Sequence, residues 1–214
     1  MTPWRTTPSE THRESELDHA VMQRDRLARA RQIMLTRLQK EGVKIGQGFG
    51  KDGRPLRWIL DCREVLMHAE CLAATGVLFW QTIKETNATH VGGVSLSGDL
   101  LTCSVLNASS LDGTGLKGFS VRHERKSYGL RRLVEGAPIA RGARIVVVDD
   151  LLNSGATFKH ALKALAEHNV QVVAACVLVN FEKSGEQFLR RLGIPLYFAF
   201  TLREIKPKQT KTRF

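Results

Sequence analysis

The sequence predicts an α/β fold: an open, mostly parallel twisted sheet with helices on both faces. Three observations lead to it. Ile145-Val-Val-Val148 is an unbroken β-branched run, the pattern of a strand buried on both faces inside a parallel sheet. Strand-like and helix-like runs alternate along most of the chain, as crossover connections require. Finally, the buried run ends in two acids, Asp149 and Asp150, and a small-residue turn, Asn153-Ser-Gly-Ala-Thr157, before an apolar-periodic helix (Phe158, Ala161, Leu162, Leu165). A turn that opens a helix N-terminus offers free amides and a favourable dipole to an anion. The paired acids before it add a grip for hydroxyl groups and for a nearby cation.

At 214 residues and 43% hydrophobic composition, the chain can bury one sizeable core with a small appended piece. It contains no run of about 18 apolar residues, and its N-terminus is polar, so neither a membrane span nor a secretory signal is expected. Cys62, Cys71, Cys103 and Cys176 lack metal-type spacing and lie in apolar segments. They read as reduced core thiols of a cytoplasmic protein. The histidines form no ligand cluster, so a protein-bound metal is not expected. The net charge of +11 gathers at residues 24–40, 122–132 and 206–213. The outer two clusters read as a solvated helix face and a tail, so nucleic acid is not the expected partner.

In order, residues 1–14 are polar and aperiodic and are expected to be disordered. Residues 15–40 form an amphipathic helix (Leu17, Val21, Leu27, Ala28, Met34, Leu35, Leu38) stopped at Gly42. A Gly-rich turn region then ends in a short extended run, 56–61, and a long helix is expected over 64–86. Strands are expected at 89–94, 116–121, 170–179 and 195–202, and helices at 101–108 and 186–192. Segment 122–136 is polar and basic and reads as a mobile loop. Four units follow: a disordered 1–14, a helix and hood segment 15–61, a core 62–204 and a basic tail 205–214. In such sheets ligands bind outside the carboxyl ends of the strands. The loops at 149–157, at 95–99 and at the start of 122–136 all leave strand ends there, which points to one site.

The segment Ile145-Val-Val-Val-Asp-Asp-Leu-Leu-Asn-Ser-Gly-Ala-Thr157 resembles the phosphoribosyl-pyrophosphate (PRPP) signature of the type I phosphoribosyltransferases. Phe119-Ser-Val-Arg-His-Glu-Arg-Lys-Ser-Tyr-Gly129, with Leu133-Val-Glu-Gly136 after it, is similar to the catalytic loop of the orotate phosphoribosyltransferases within that family. Gly92-Gly-Val-Ser-Leu-Ser-Gly-Asp99 looks like the family's pyrophosphate loop. Lys51-Asp-Gly-Arg54, followed by Trp58-Ile-Leu-Asp61, looks like the segment that frames its base pocket. The resemblance runs from about residue 48 to about residue 193.

What the resemblance implies is transfer of the 5-phosphoribosyl group from PRPP to a ring nitrogen of a pyrimidine-type base, orotate first among them, with release of pyrophosphate. Asp149 and Asp150 would hold the ribose hydroxyls. Asn153, Ser154, Gly155, Ala156 and Thr157 would cradle the 5′-phosphate. Ser97 and Gly98 with Arg122, His123, Lys126 and Tyr128 would meet the pyrophosphate, Lys126 as the catalytic cation. Lys51, Trp58, Ile59, Asn153 and Phe181 would border the base. Mg²⁺ would arrive with PRPP, and a homodimer would share segment 122–136 across its interface. The chain departs from the family's pattern at His123 (usually lysine), Tyr128 (usually histidine), Asn153 (threonine) and Phe181, where the family places the arginine that pairs with orotate's carboxylate. A carboxylate in an apolar pocket without its cation is costly to desolvate. Two alternatives therefore stand beside the reading: the same chemistry on a base other than orotate, or a catalytically weakened PRPP-binding protein that regulates or binds RNA.

Overall fold

The computed structural model describes residues 10–49, 53–124 and 132–205. A six-stranded sheet in the order β5-β4-β3-β6-β7-β8 carries the fold. Its strands are β3 (His90–Val94), β4 (Lys117–Val121), β5 (Val134–Gly136), β6 (Arg144–Leu152), β7 (Gln171–Asn180) and β8 (Leu196–Thr201). Every pairing is parallel except β4 with β5. The expected sheet is therefore borne out, with a short antiparallel edge inside the segment read as a loop.

Alternation along β6 divides the core into two layers. Val146 and Val148 face one layer, with α1 (Glu10–Arg37), α2 (Cys62–Leu66), α3 (Ala69–Ile83) and part of α4 (Ser97–Ser110). Ile145 and Val147 face the other, with α5 (Ala156–Leu165) and Leu189 of α6 (Ser184–Arg191). A strand with apolar side chains on both faces can only be satisfied between two such layers, which is why this run is so uniformly β-branched.

Several boundaries differ from expectation, each for a local reason. Helix α1 opens at Glu10, inside the stretch expected to be disordered, and gives way to a π turn at Leu38–Gly42. Ala30 and Met34 in its second half, with Leu38 in the turn, form a buried stripe at four-residue spacing, whereas Val21 and Met22 are exposed. The Gly-rich region holds a strand that sequence reasoning missed: β1 (Val43–Phe49) pairs antiparallel with β2 (Pro55–Leu60). Its register shifts between Ile45 and Gly48, where Gly46 takes a φ of +68°. Glycines at that spacing hide the strand's alternation from the sequence. The long helix expected over 64–86 is broken: His68 is extended (ψ 129°) and starts α3 afresh. Cys103 is exposed on α4, so it is no core thiol, whereas the other three cysteines are buried.

Arg31 fastens α1 to the last strand. Its guanidinium donates to the Ala199 carbonyl (2.6 Å), pairs with Glu204 of α7 (Leu202–Ile205), and lies 4.5 Å over the Phe200 ring. Burial pushes the Glu204 carboxyl up, but the Thr201 amide and hydroxyl and the Arg31 charge outweigh it and hold it below its ordinary value. No helix among the described residues is long and apolar enough to cross a membrane.

Candidate active site

The carboxyl ends of β3 and β6 lie side by side, and two turns leave them. After β3 the chain bends through Ser95 and Leu96, joined by a cis peptide, into α4. The helix opens at Ser97, earlier than expected, so Ser97 and Gly98 belong to its first turn. This turn is folded flat against the sheet. A methyl group at Gly93 would lie 2.2 Å from the Val148 carbonyl oxygen, and one at Gly98 would lie 2.5 Å from the Gly93 carbonyl carbon. No other residue permits backbone to approach backbone so closely. Ser95 Oγ pairs with Ser120 Oγ at 3.1 Å, binding the turn to β4.

After β6 the turn is of another kind. Asn153 and Ser154 are exposed, and Gly155 caps α5 in the left-handed region, φ +80°. The Asn153 carbonyl accepts from the Gly185 amide (2.9 Å), which ties this turn to the start of α6. Asp149 is buried, and its Oδ1 accepts from the Asp150 amide (3.0 Å). Burial pushes the Asp149 carboxyl well above the usual carboxylate range, and the neighbouring Asp150 charge pushes it further. Hydrogen bonds from the Asp150 amide and from Thr157 offset only part of this. Two adjacent acids at a buried strand end, with such incomplete compensation, are a poor choice for stability and a good one for gripping hydroxyls.

A cavity of about 250 Å³ unites these elements. Of the residues singled out in the sequence, Ser97, His123, Asp149, Asp150 and Thr157 line it. Its fourth wall is Leu60, Asp61, Cys62 and Arg63, from the end of β2 and the start of α2; sequence reasoning had Leu60 and Asp61 in the segment framing the base and missed Cys62 and Arg63. The signal was there: an extended run ending in an acid that caps a helix. Asp61 does this, accepting from the Arg63 and Glu64 amides at 3.0 and 3.3 Å.

Other expected site residues fall elsewhere. Arg122 does not line the cavity: Nη1 is 3.6 Å from Glu135, Nε is buried with no partner among the described residues, and the carbonyl meets His160 Nε2 at 2.8 Å. His123 stacks on His160 with centroids 6.0 Å apart. Trp58 and Phe181 are half-buried and pack on the core cluster, with Lys183 Nζ 5.9 Å above the Phe181 ring. Gly98, Asn153, Ser154, Gly155, Ala156 and Ile59 lie outside the cavity lining. Lys51, Lys126 and Tyr128 lie outside the described residues. Among the described residues no group of three His, Cys, Asp or Glu side chains is placed to hold a metal.

Paired acids and an open helix N-terminus at the carboxyl edge of a parallel sheet place the chain among α/β proteins whose edge suits a phosphorylated, hydroxyl-bearing ligand. Comparison with known proteins narrows it. Residues 99–191 match the phosphoribosyl transferase domain family. An orotate phosphoribosyltransferase of Aquifex aeolicus is 29% identical over 153 residues, covering 72% of this chain and 83% of that protein. The crystal structure of orotate phosphoribosyltransferase from Aeropyrum pernix superimposes with a TM-score of 0.66 at 27% identity, covering 80% of this chain and 95% of that one. The Mycobacterium tuberculosis enzyme shares the fold with a TM-score of 0.73 at 23% identity, covering 82% and 98% of the two chains. The chain is thus similar to the phosphoribosyltransferases over residues 99–191, and to orotate phosphoribosyltransferases along most of its length.

Proposed function

We propose that this chain transfers the 5-phosphoribosyl group of PRPP to a ring nitrogen of orotate. The new bond forms from that nitrogen to C1, the bond from C1 to the pyrophosphate oxygen breaks, and pyrophosphate leaves with the electron pair. One observation carries the reading: Asp149 and Asp150 share a single cavity with Ser97, Thr157 and His123. In this reading the acids hold the ribose hydroxyls and the 153–157 turn holds the 5′-phosphate. His123 and the basic segment after it neutralise the departing pyrophosphate, while that segment shields the site from water. Positioning and charge neutralisation then supply most of the acceleration, because positive charge develops on the ribose as the bond to pyrophosphate loosens.

The residues present suit Mg²⁺ carried by the substrate. Among the described residues no protein cage is placed to hold it, while the buried, like-charged Asp149–Asp150 pair suits a hydrated cation bound through ribose hydroxyls and water. Mg²⁺ bound with PRPP would neutralise part of the pyrophosphate charge. The proposal includes a cytoplasmic homodimer in which segment 122–136 of one subunit reaches the neighbour's site.

Phe181 favours a second reading, the same chemistry on a less acidic base, since its half-buried ring offers no charge to a carboxylate. Lys183 above that ring keeps orotate in play. Pyrophosphate release from Mg²⁺–PRPP, measured with orotate and then a panel of bases, tests both. Turnover with orotate is expected, falling roughly 10²-fold or more in Lys126→Ala. Turnover confined to another base selects the second reading, and no turnover with any base rejects the transferase assignment.

A further inference from the structure

The cavity is unbalanced in charge. Its described lining contains three carboxylates, Asp61, Asp149 and Asp150, and one permanent cation, the guanidinium of Arg63, beside the titratable His123. The ligand of the proposed reaction adds a 5′-phosphate and a pyrophosphate to this. The turn after β3 contributes hydroxyls and amides through Ser95, Leu96 and Ser97, and no cation. A dense anion placed there needs a fixed positive charge from another wall.

We propose that Arg63 binds the pyrophosphate group of PRPP, supplied by the same subunit whose acids hold the ribose. This rests on the PRPP reading above. The side chain is built to serve a ligand. Its backbone is fixed by the Asp61 cap and by the Asp61 amide, which donates to the Gly42 carbonyl at 2.8 Å. Cys62 and Val65 on either side are buried, so the base of the side chain is anchored in the core. The side chain itself is 60% exposed, and its nearest carboxylate contact, Nε to Asp61, is 3.7 Å, beyond hydrogen-bond length. The guanidinium makes no side-chain hydrogen bond recorded among the described residues, which leaves its planar fork open to phosphate oxygens in the bidentate manner. The adjacent Cys62 thiol is pushed up by burial and then by the charges of Asp150, Asp61 and Asp149, which sets this helix start within electrostatic reach of the β6 acids.

The alternative role is structural: Arg63 merely offsets the acids around it. The two roles separate by ligand. Binding of Mg²⁺–PRPP, Mg²⁺–pyrophosphate and ribose 5-phosphate is measured calorimetrically for wild type, Arg63→Gln and Arg63→Lys, with melting curves to confirm folding. The expected result is that Arg63→Gln weakens PRPP and pyrophosphate by roughly 10- to 100-fold, Arg63→Lys recovers part of the loss, and ribose 5-phosphate is unaffected. Equal loss for all three ligands, or unchanged pyrophosphate affinity in Arg63→Gln, overturns the proposal while leaving the PRPP reading intact. A folded wild type that binds none of the three overturns both.

Discussion

The two turns at the carboxyl edge of the sheet are built on opposite plans. The one after β3 is made by removing side chains: Gly93 lies against the Val148 carbonyl of β6, Gly98 lets the turn lie on Gly93, and serine hydroxyls hold it in place. The one after β6 is made by adding charge: Asp149 and Asp150 precede it, and an open helix N-terminus follows. The first fixes shape and brings no net charge; the second brings charge at a cost in stability. The difference teaches that the permanent positive charge in the described lining comes from another element, Arg63 on α2.

The contrast can be broken most sharply at Asp149. Asp149→Asn is expected to reduce PRPP turnover by about 10²-fold, from loss of a charged hydrogen-bonding partner, yet to melt higher than wild type at neutral pH. Below the ordinary value of 3.8 both folded and unfolded chains hold the proton, and the acid costs nothing. As pH rises past 3.8 the unfolded chain ionises first, because burial raises the folded value. Wild-type stability therefore falls with rising pH relative to the variant, and melting curves from pH 4 to 8 should show the gap opening. A variant that melts lower at neutral pH would remove the idea that charge at this turn is held against stability.

Gly98→Ala probes the other plan. Its methyl would meet the Gly93 backbone, the carbonyl carbon at 2.5 Å, with no flexible side chain to give way, so a loss of about 3 kcal/mol is expected in denaturant unfolding. Gly155→Ala is the smaller effect. Its methyl would lie 3.2 Å from Gly185 Cα and from the Phe188 ring, an approach that slight shifts accommodate, so the positive φ dominates and about 1–2 kcal/mol is expected. Equal costs at the two glycines would mean that the turns do not differ in how tightly they are packed.

Much of this edge was legible in the sequence because β6 states its environment in its composition. Four consecutive β-branched residues admit only a strand with apolar layers on both sides, and acids directly after them have few structural reasons to be there. The hood was not legible, since Gly46 and Gly48 interrupt the alternation of β1, and its pairing with β2 exists only through contacts between separate stretches. Arg63 escaped notice for a related reason. Nothing in Asp61-Cys-Arg63 announces a ligand; its place in the cavity follows from how α2, at the end of β2, packs against β6. Cys103 misled because an apolar neighbourhood in sequence does not say which side of a helix faces water.

Arg31 bears on a different matter, how the last strand of the sheet is covered. β8 is the last strand of its sheet, and Tyr197 and Phe198 on it are exposed, the profile of a strand onto which another chain adds by main-chain pairing. By occupying the Ala199 carbonyl and laying α1 across Phe200, Arg31 takes away one of the acceptors such an intruder would need and sets a charged helix in its path. The N-terminal helix thereby covers part of an edge open to main-chain pairing, at a place apart from the cavity at the carboxyl ends of the strands.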